Sequence, residues 1–375
     1  MVKPTTYHIA LGSNKGDKLK HLQAAADAIY IRIGNIKLIS KVYKSPALGF
    51  ESDDFLNCCL VLESDLQPQE VLDNLLDIET KLGRTRNEGA GYEARTIDLD
   101  IVLAEDKIIA TETLQVPHQE MSKRKFVLQP LNDIASKVQH PKFGTEISVL
   151  LDECEDESVL EPIKIWLKNP GKVCDLAKYN YIAIEGNIGS GKTSLATKIA
   201  HDFNAKLVLE RFADNPFLPK FYEDAQRYSF PLEMSFLADR YQQISDDLSQ
   251  LDLFKDFIIS DYDVFKSLIF SKITLQDDEF KLYRKLFYLM YKELRKPDLY
   301  VYLYQNTARL QANIRKRGRD YEQNIADDYL EKINTGYLEF LKTQTDFNVK
   351  IIDVSDRDFV ENRSDYLWVL GEICE

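Results

Sequence analysis

The segment YIAIEGNIGSGKTSLATKIAHDF, residues 181–203, determines how the second half of this 375-residue chain is expected to fold. It opens with a short apolar run that favours a β-strand, continues through a glycine-rich stretch, and ends in a run with helical periodicity. Glycines at such a junction allow backbone N–H groups to surround phosphate oxygens at the start of the helix. The segment therefore predicts a phosphate-binding loop between a strand and a helix.

This loop has the spacing G-x-x-x-x-G-K-S/T, from Gly186 to Thr193. In this pattern Lys192 reaches the β- and γ-phosphates of a nucleotide, and the hydroxyl of Thr193 is a ligand for one Mg²⁺. A glycine-rich turn without a ligand is the alternative, and the flanking strand and helix argue against it. The predicted ATP-binding residues of the loop are Gly186, Gly189, Ser190, Gly191, Lys192 and Thr193.

The second half contains five short β-rich runs, separated by long stretches with helical periodicity. This alternation predicts an α/β domain with a five-stranded parallel sheet covered by helices. The second run ends at Glu210, and a carboxylate at the carboxyl end of a strand faces the ligand crevice of such a sheet. Glu210 is therefore a candidate base for an attacking hydroxyl, with a solvated surface glutamate as the alternative.

Further along, the stretch NIRKRGRDYEQ places four cations within five residues: Arg315, Lys316, Arg317 and Arg319. Such a run is usually a solvated helix face. In a protein with a phosphate-binding loop it also suits a lid that closes over phosphates during group transfer.

The first half mixes strand patterns with two amphipathic helices near residues 18–32 and 68–82. This mixture predicts an α+β domain with a mainly antiparallel sheet. One predicted strand, RTIDLDIVL at residues 95–103, alternates apolar residues with Asp98 and Asp100. Both carboxylates then lie on one face, about 7 Å apart, and repel each other unless a cation lies between them.

Several basic residues lie near this strand in the sequence: Arg84, Arg86, Arg95, His118 and Arg124. Proteins bind Mg²⁺ through one or two carboxylates together with substrate phosphates, and arginines stabilise the charge of a transferring phosphoryl group. The pattern therefore favours a second phosphoryl-transfer site, with Mg²⁺ at Asp98 and Asp100. An exposed strand face with surface salt bridges is the alternative.

Composition bears on the location and the partners of the chain. Its net charge of −13 disfavours extended binding to nucleic acid, and no run approaches the roughly 18 apolar residues of a membrane span. Five cysteines without a C-x-x-C pair, and a start without an apolar signal core, predict reduced thiols and a cytoplasmic location.

A change of composition near residue 152 marks the boundary between the halves. The acidic stretch DECEDESVLEP is followed by LKNPGKVCDLAKYN, which contains a Pro-Gly breaker. We therefore predict a first domain at residues 1–160, a linker at 161–178 and a second domain at 179–375.

The second half resembles the deoxyribonucleoside kinases through the ordered motifs IEGNIGSGKT, LVLERF, RYSFPLEMSFLADRYQ, SDYDVFKSLIF and RKRGRDYEQ. It is most similar to the bacterial deoxyadenosine/deoxyguanosine branch, in which DY-x-x-FK stands where animal enzymes have ERS. The resemblance implies transfer from ATP to a 5′-OH, with Glu210 as the base and Arg317 and Arg319 as lid cations. It further implies that Tyr222 and Glu322 hold the sugar 3′-OH.

Two positions depart from the animal members of that family. Glu233 stands where they use glutamine to read the base edge, and Tyr262 replaces the arginine of ERS, while Arg240 is retained. An ionised glutamate only accepts hydrogen bonds, which suits guanine, whereas a Glu233–Arg240 pair that also donates suits adenine. We predict deoxyadenosine as the preferred substrate, with deoxyguanosine as the alternative.

The first half resembles 6-hydroxymethyl-7,8-dihydropterin pyrophosphokinase through ALGSNKGD, SPALG, DFLNCCL, GRTR, RTIDLDIVL and VPHQEMSKRKFVLQPL. The resemblance implies two Mg²⁺ ions at Asp98 and Asp100 that bridge the phosphates of ATP. The other implied roles are phosphate contacts for Arg84, Arg95, His118 and Arg124, a mobile catalytic loop for Arg86 and Tyr92, and an ATP-site position for Glu79. The pterin is implied to stack between Phe55 and Phe126, beside Ser45, Pro46, Leu48 and Asn57.

The predicted protein is thus a fusion of two kinases, with an α+β, ferredoxin-like N-terminal domain and an α/β P-loop kinase domain with a five-stranded parallel sheet. Its expected partners are the pterin, the deoxynucleoside and ATP, without nucleic acid or membrane. Apolar and aromatic residues at 231–248 and 280–294 favour a homodimer through the second domain, unless they pack inside it. Alternatively, one half is a degenerate nucleotide-binding module that regulates the other.

Overall fold

The computed structural model describes residues 4–47, 52–84, 94–172, 174–211, 215–249, 254–344 and 348–375. The chain divides into two compact units, residues 1–173 and 174–375. None of the helices in the described ranges combines the length and the apolar character that a bilayer crossing requires.

The first unit is an α+β structure around one main sheet. Its strands are β1 (Thr5–Ser13), β2 (Asn35–Ile39), β3 (Tyr43–Ser45), β4 (Phe55–Ser64), β5 (Asp98–Ala104), β6 (Ile109–Ala110), β7 (Gln115–Val116) and β8 (Glu161–Pro162). Its helices are α1 (Lys18–Arg32), α2 (Pro68–Lys81), α3 (Lys125–Ala135) and α4 (Ile147–Asp152). The main sheet has the order β5-β1-β4-β3-β8, with β2 also paired to β4, and every pairing is antiparallel.

Both faces of this sheet are covered, because α1 and α2 pack on one face and α3 and α4 on the other. The helices predicted near 18–32 and 68–82 are confirmed, and α2 begins with Pro68 and a capping box between Gln67 and Glu70. The strand predicted at 95–103 begins three residues later, at Asp98. Arg95 is instead tied to a loop, since its N–H donates to Asn14 Oδ1 at 2.6 Å and its carbonyl accepts from the Asn14 N–H.

The second unit has the predicted five-stranded parallel sheet. Its strands are β9 (Tyr181–Gly186), β10 (Lys206–Val208), β11 (Ile258–Ser260), β12 (Leu299–Tyr304) and β13 (Asn348–Asp353). Its helices are α5 (Lys192–Asp202), α6 (Leu218–Glu223), α7 (Ala225–Ser249), α8 (Phe265–Thr274), α9 (Asp277–Tyr291), α10 (Thr307–Arg317), α11 (Asp327–Lys342) and α12 (Arg363–Cys374). The order β10-β11-β9-β12-β13 places β9 in the centre.

Separate apolar cores cover the two faces of this parallel sheet. Helices α7, α8, α9 and α11 enclose one core with buried tyrosines, and α5 and α12 enclose the other. Because ligands of open parallel sheets bind at the carboxyl ends of the strands where the strand order reverses, the loop after β9 is the expected binding edge.

The structure differs from one expectation based on composition. Cys174 and Cys374, which were expected to be reduced like the other cysteines, are paired as a disulfide with 5.5 Å between their Cα atoms. Cys58, Cys59 and Cys154 are free thiols. The pair joins positions 200 residues apart, so sequence spacing offered no sign of it.

Candidate active sites in the two units

The phosphate-binding loop of the second unit joins β9 to α5, as predicted. Gly189 and Gly191 have φ of 84° and 87°, and a Cβ on Gly191 would lie 2.7 Å from the Phe359 ring. Glycine is therefore required there on both conformational and steric grounds. Ser190 is buried, and its hydroxyl has no partner among the described residues. The Lys192 ammonium donates to the Asn187 carbonyl at 2.8 Å, which holds it over the loop.

Two oxygen groups that suit a hard cation meet between the start of α5 and the end of β11. Thr193 Oγ1 donates to Asp261 Oδ2 at 2.5 Å, and Asp261 Oδ1 accepts from the Glu210 N–H at 2.8 Å. A P-loop hydroxyl with an aspartate at the end of a neighbouring strand is the ligand type that holds Mg²⁺ in nucleotide sites, so the residues fit one ion. Sequence analysis missed Asp261, although an acidic residue directly after a buried strand was available as a signal.

The candidate base Glu210 is held by two buried cations. Its Oε1 accepts from Arg240 Nε and Nη2 at 2.9 and 2.7 Å, and its Oε2 accepts from Lys266 Nζ at 2.6 Å. Burial alone would raise the pKa of Glu210, but Lys266 and Arg240 outweigh it and hold the pKa at about 2. Glu210 is therefore ionised at every working pH, and the alternative of a solvated surface glutamate is excluded.

Lys266 is a site residue that sequence analysis did not identify. It lies on α8, and its charge also lowers the pKa of Lys192, after burial, to about 8. Tyr262, which replaces the family arginine, is fully buried and its hydroxyl has no partner among the described residues. Lys266, four residues after Tyr262 and in the first turn of α8, brings a cation to Glu210.

The predicted Glu233–Arg240 pair is not formed, and this corrects the reasoning from sequence. Arg240 directs Nε and Nη2 to Glu210, and its Nη1 donates to Ser267 Oγ at 2.6 Å. Glu233 Oε1 instead accepts from Thr274 Oγ1 at 2.9 Å, while Oε2 is buried without a partner among the described residues. Burial raises the pKa of Glu233 to about 7, against the opposing effects of Arg240, Thr274 and Lys266.

The lid cations and the sugar-binding candidates lie around the end of α10. This helix ends at Gly318, which has φ of 72°, and the chain then enters the segment that carries Glu322. Arg317 and Arg319 both pair with the buried Glu322 carboxylate. Tyr222 lies on α6, with its ring against Phe221. Arg317 and Arg319, the predicted lid arginines, are therefore held by Glu322, which is itself a predicted substrate-binding residue.

A buried acid behind the phosphate loop was also missed. Glu185, the residue before Gly186, accepts from the Asp263 N–H at 2.7 Å and from the Tyr337 hydroxyl at 2.9 Å. Burial raises the pKa of Glu185 to about 7. Its hydrogen bonds tie the loop to the segment after β11 and to α11, so Glu185 positions the loop.

In the first unit, Asp98 and Asp100 lie on β5 opposite Gly12 and Ala10 of β1. The apolar residues between and beside them, Ile97, Leu99 and Ile101, are buried, which confirms the predicted alternation. Arg84 Nη1 donates to Asp98 Oδ1 at 2.6 Å, and Arg95 Nη1 donates to Asp98 Oδ2 at 2.7 Å. The cations in direct contact with Asp98 are therefore two of the predicted arginines.

Asp100 has the character of a metal ligand. Burial and the neighbouring Asp98 charge raise its pKa, while His118, Arg124 and Arg84 oppose this shift. A divalent cation between the two carboxylates would stabilise the ionised form, so they fit Mg²⁺. Over the described ranges, three or more His, Cys, Asp or Glu side chains do not gather at a metal position. Phosphate and water oxygens would have to complete such a site.

Two further residues fix the arginines of this site. Glu79, a predicted ATP-site residue, is buried at the end of α2, where it pairs with Arg84 and accepts from the Leu99 N–H at 2.8 Å. Asn14 was not predicted, yet it binds the backbone of Arg95 on both sides and also donates to Ser52. Glu79 therefore positions Arg84, and Asn14 positions Arg95.

His118 is held by two local hydrogen bonds. Its backbone N–H donates to the Val102 carbonyl at 3.0 Å, and its Nδ1 accepts from the Glu120 N–H at 3.2 Å. Because Nδ1 accepts, the ring proton of the neutral form lies on Nε2. Arg124 caps α3, with its guanidinium 5.9 Å from the Phe126 ring centroid. His118 and Arg124 both interact electrostatically with Asp100.

The structure brings together part of the predicted pterin pocket. Ser45 pairs with Phe55 across β3 and β4, and Asn57 Nδ2 donates to Ser45 Oγ at 2.8 Å. Phe126 lies on α3, which packs on β4, and Pro46 is exposed. Three predicted residues, Leu48, Arg86 and Tyr92, lie outside the described residues.

Comparison with known proteins finds matches for both units. Residues 182–375 match the family model "Deoxynucleoside kinase", and residues 8–136 match "7,8-dihydro-6-hydroxymethylpterin-pyrophosphokinase". A deoxyguanosine kinase of Bacillus subtilis is 35% identical over 52% of this chain and 96% of the relative, and a deoxyadenosine kinase of Dictyostelium discoideum is 31% identical over 48% and 74%. A 2-amino-4-hydroxy-6-hydroxymethyldihydropteridine pyrophosphokinase of Porphyromonas gingivalis is 39% identical over 37% of this chain and 95% of the relative.

Proposed function

The chain belongs to the deoxynucleoside kinase family through residues 182–375 and to the 7,8-dihydro-6-hydroxymethylpterin-pyrophosphokinase family through residues 8–136, and from this premise we propose the substrates and residue roles of its two sites. It is a bifunctional enzyme, with a pterin pyrophosphokinase in the first unit and a deoxynucleoside kinase in the second. Both families use ATP as co-substrate and typically Mg²⁺. The observation that carries the assignment is that each unit assembles its own set of phosphate-binding cations beside carboxylates.

In the first unit, the 6-hydroxymethyl group of the dihydropterin attacks the β-phosphorus of ATP, and AMP leaves. Two Mg²⁺ ions at Asp98 and Asp100 would neutralise the ATP phosphates. Arg84, Arg95, His118 and Arg124 would stabilise the charge that develops during transfer, together with Arg86 and Tyr92. Asp98 would hold the ion in place of its arginine partners, and Arg95 would then turn to the phosphates while Arg84 stays anchored by Glu79. The pterin lies between Phe55 and Phe126, beside Ser45, Pro46, Leu48 and Asn57.

In the second unit, Glu210 takes the proton of the 5′-OH while that oxygen bonds to the γ-phosphorus and ADP leaves. The phosphate loop holds the β- and γ-phosphates, and Thr193 and Asp261 would hold one Mg²⁺. Arg317 and Arg319 leave Glu322 and move onto the phosphates, which frees Glu322 to join Tyr222 at the sugar 3′-OH. Lys266 and Arg240 orient Glu210, and they bring positive charge to the transferring group.

We propose deoxyadenosine as the preferred nucleoside. The two kinase relatives are named for deoxyguanosine and deoxyadenosine, which supports a purine. Because Arg240 is engaged by Glu210, the donor that adenine N1 requires must come from Glu233 itself. Burial raises the pKa of Glu233 to about 7, so a neutral, donating carboxyl is accessible near neutral pH.

A substrate screen tests these proposals. The purified chain, with Mg²⁺ and γ-labelled ATP, is assayed against the hydroxymethyl dihydropterin and the four deoxynucleosides. We expect turnover of the pterin, the highest kcat/KM for deoxyadenosine among the nucleosides at about pH 6, and little turnover of thymidine. A preference for thymidine would overturn the purine assignment, and no pterin or nucleoside turnover in one unit would favour the degenerate-module alternative for that unit.

Replacing Lys266 tests whether it supplies the missing family cation. We expect Lys266→Met to lower kcat/KM for the nucleoside by about 10²-fold, because one preorganised charge near the transferring group is removed. Lys266→Arg should retain activity within about tenfold, since the cation remains. The loss of Lys266 should also raise the pKa of Glu210, so the acid limb of the pH–rate profile, which lies near pH 2 in the wild type, moves up toward the assayed range.

The exposed Lys272→Met on the same helix is the matched control and should behave as wild type. Steady-state kinetics from about pH 5 to about pH 8 measure both effects. An unchanged acid limb in Lys266→Met would show that Lys266 does not act on Glu210.

We also propose a homodimer through α9. Tyr283, Phe287 and Tyr291 of this helix are buried in the core, whereas Leu282, Tyr288 and Leu289 are exposed, by 51%, 47% and 67%. The buried set accounts for part of the predicted apolar stretch at 280–294, and the exposed set remains for a partner. Large apolar residues of the other predicted stretch, 231–248, pack mainly inside the unit.

Light scattering tests the dimer. The wild type should have the mass of two 43.4 kDa chains at micromolar concentration, and Leu289→Glu should shift it toward one chain. Leu38→Glu, the same substitution at an exposed leucine of β2, should leave the mass unchanged. A single-chain mass for the wild type would refute the proposal.

We also propose the fold type of the first unit, the domain bounds, the cellular location and the absence of nucleic-acid binding. The ferredoxin-like assignment is supported by the succession β1-α1-β2-β4-α2-β5 and by β1 lying between β4 and β5. The domain bounds 1–160 and 179–375 agree with a unit boundary at residue 173, although residues of the proposed linker 161–178 pack on the first unit through β8 and Asn169. We further propose a cytoplasmic location, because both reactions consume ATP, and no binding of nucleic acid, because of the net charge of −13.

A further inference from the structure

The Glu233 carboxyl is built to exist in two charge states. Thr274 Oγ1 lies 2.9 Å from Glu233 Oε1 and 3.0 Å from the Phe270 carbonyl, and a hydroxyl has only one proton to donate. When Thr274 donates to Glu233, it supports the ionised carboxylate. In the neutral form the proton is carried by Oε2, while Oε1 keeps accepting from Thr274, so Oε2 can donate and Oε1 can accept. Oε2 is buried without a partner among the described residues, so its hydrogen-bonding capacity is not used by any of them.

The purine edges demand different charge states from such a carboxyl. Adenine presents an amino N–H beside the unprotonated N1, which matches a neutral carboxyl that accepts through one oxygen and donates through the other. Guanine presents N–H donors at both N1 and N2, which matches an ionised carboxylate that accepts twice. Each wrong combination places two donors or two acceptors against each other, and a buried hydrogen bond left unmade weakens binding by about tenfold or more.

We propose, on the premise that the second unit phosphorylates purine deoxynucleosides, that Glu233 reads the base in both protonation states, so that the enzyme prefers adenine below a crossover pH and guanine above it. This goes beyond a fixed preference for one purine. It makes the base choice a property of one proton on Glu233.

The groups that face Glu233 support a change of protonation that is confined to this residue. Arg240, on the same helix, keeps its charge and is paired with Glu210. Lys266, from α8, is paired with Glu210 as well. Tyr283, from α9, donates to the Glu233 carbonyl at 3.3 Å, and Tyr329 approaches from α11; burial raises the pKa of both tyrosines, so they stay neutral. The crossover should lie near pH 7, where burial places the pKa of Glu233.

Internal competition measures the preference directly. The full chain, with Mg²⁺ and ATP in excess, receives deoxyadenosine and deoxyguanosine at equal concentration in one reaction, and the two monophosphates are quantified at low conversion. The product ratio equals the ratio of kcat/KM, so titration of shared groups such as Glu185 and Lys192 cancels. We expect the adenine-to-guanine ratio to fall by about tenfold or more from about pH 6 to about pH 8.5.

Two variants make the test specific. In Glu233→Gln the amide both donates and accepts without titrating, so the ratio should be independent of pH. Thr274→Val removes a donor that stabilises the carboxylate, so the pKa of Glu233 rises and the crossover should move to higher pH.

A flat wild-type ratio with both purines turned over would overturn this inference and leave the kinase function intact. A wild-type pH dependence that persists in Glu233→Gln would overturn it as well. No turnover of either purine at any pH would overturn the inference and also the proposed function on which it rests.

Discussion

We expect Glu210→Gln to lower kcat/KM for the nucleoside by about 10³-fold and to leave pterin pyrophosphorylation at the wild-type rate. The amide cannot take the 5′-OH proton, and it no longer balances the charges of Arg240 and Lys266. Both reactions are measured on one preparation, so the pterin rate reports the amount of enzyme. Glu223→Gln, at an exposed position on α6, is the matched control and should be silent in both assays.

Loss of folding in the second unit would imitate this result, because breaking a buried ion pair costs about 3–5 kcal/mol. The double variant Glu210→Gln/Lys266→Met removes one of the two cations and should recover thermal stability without recovering activity. Near-wild-type turnover by a stable Glu210→Gln enzyme would exclude Glu210 as the base.

We expect Asp100→Asn to lower pterin pyrophosphorylation by about 10³-fold, since a bound metal ion contributes several kcal/mol to stabilising a transferring phosphoryl group. Asparagine keeps the shape of the side chain but loses the charge that Mg²⁺ needs. Asp100 is preferred to Asp98 for this test, because removal of Asp98 would also release Arg84 and Arg95.

Nucleoside phosphorylation by the same Asp100→Asn preparation should be unchanged, because the second unit has its own phosphate loop. Asp106→Asn, at an exposed position just beyond β5, is the matched control. Partial rescue at high Mg²⁺ would further support the metal role. A wild-type pterin rate in Asp100→Asn would refute the metal assignment.

Local patterns in the sequence determined the elements that carry the sites. The strand, glycine loop and helix at 181–203 predicted the phosphate loop, and the period-2 alternation in 95–103 placed Asp98 and Asp100 on one face of β5. These features depend on backbone geometry and on residues that are neighbours in the chain, so periodicity and spacing suffice to predict them. The parallel order of the second sheet followed equally from the alternation of strands and helices.

Tertiary structure alone decided which charges meet and how they are protonated. Glu210 meets Arg240 and Lys266 across 30 and 56 positions of the chain, Thr193 meets Asp261 across 68, and Cys174 meets Cys374 across 200. The predicted Glu233–Arg240 pair does not form, because Arg240 pairs with Glu210 instead. The pKa of Glu233 depends on desolvation by helices that are distant in sequence. The charge state of a side chain is set by the neighbours that replace its water, and these are known only once the chain is folded.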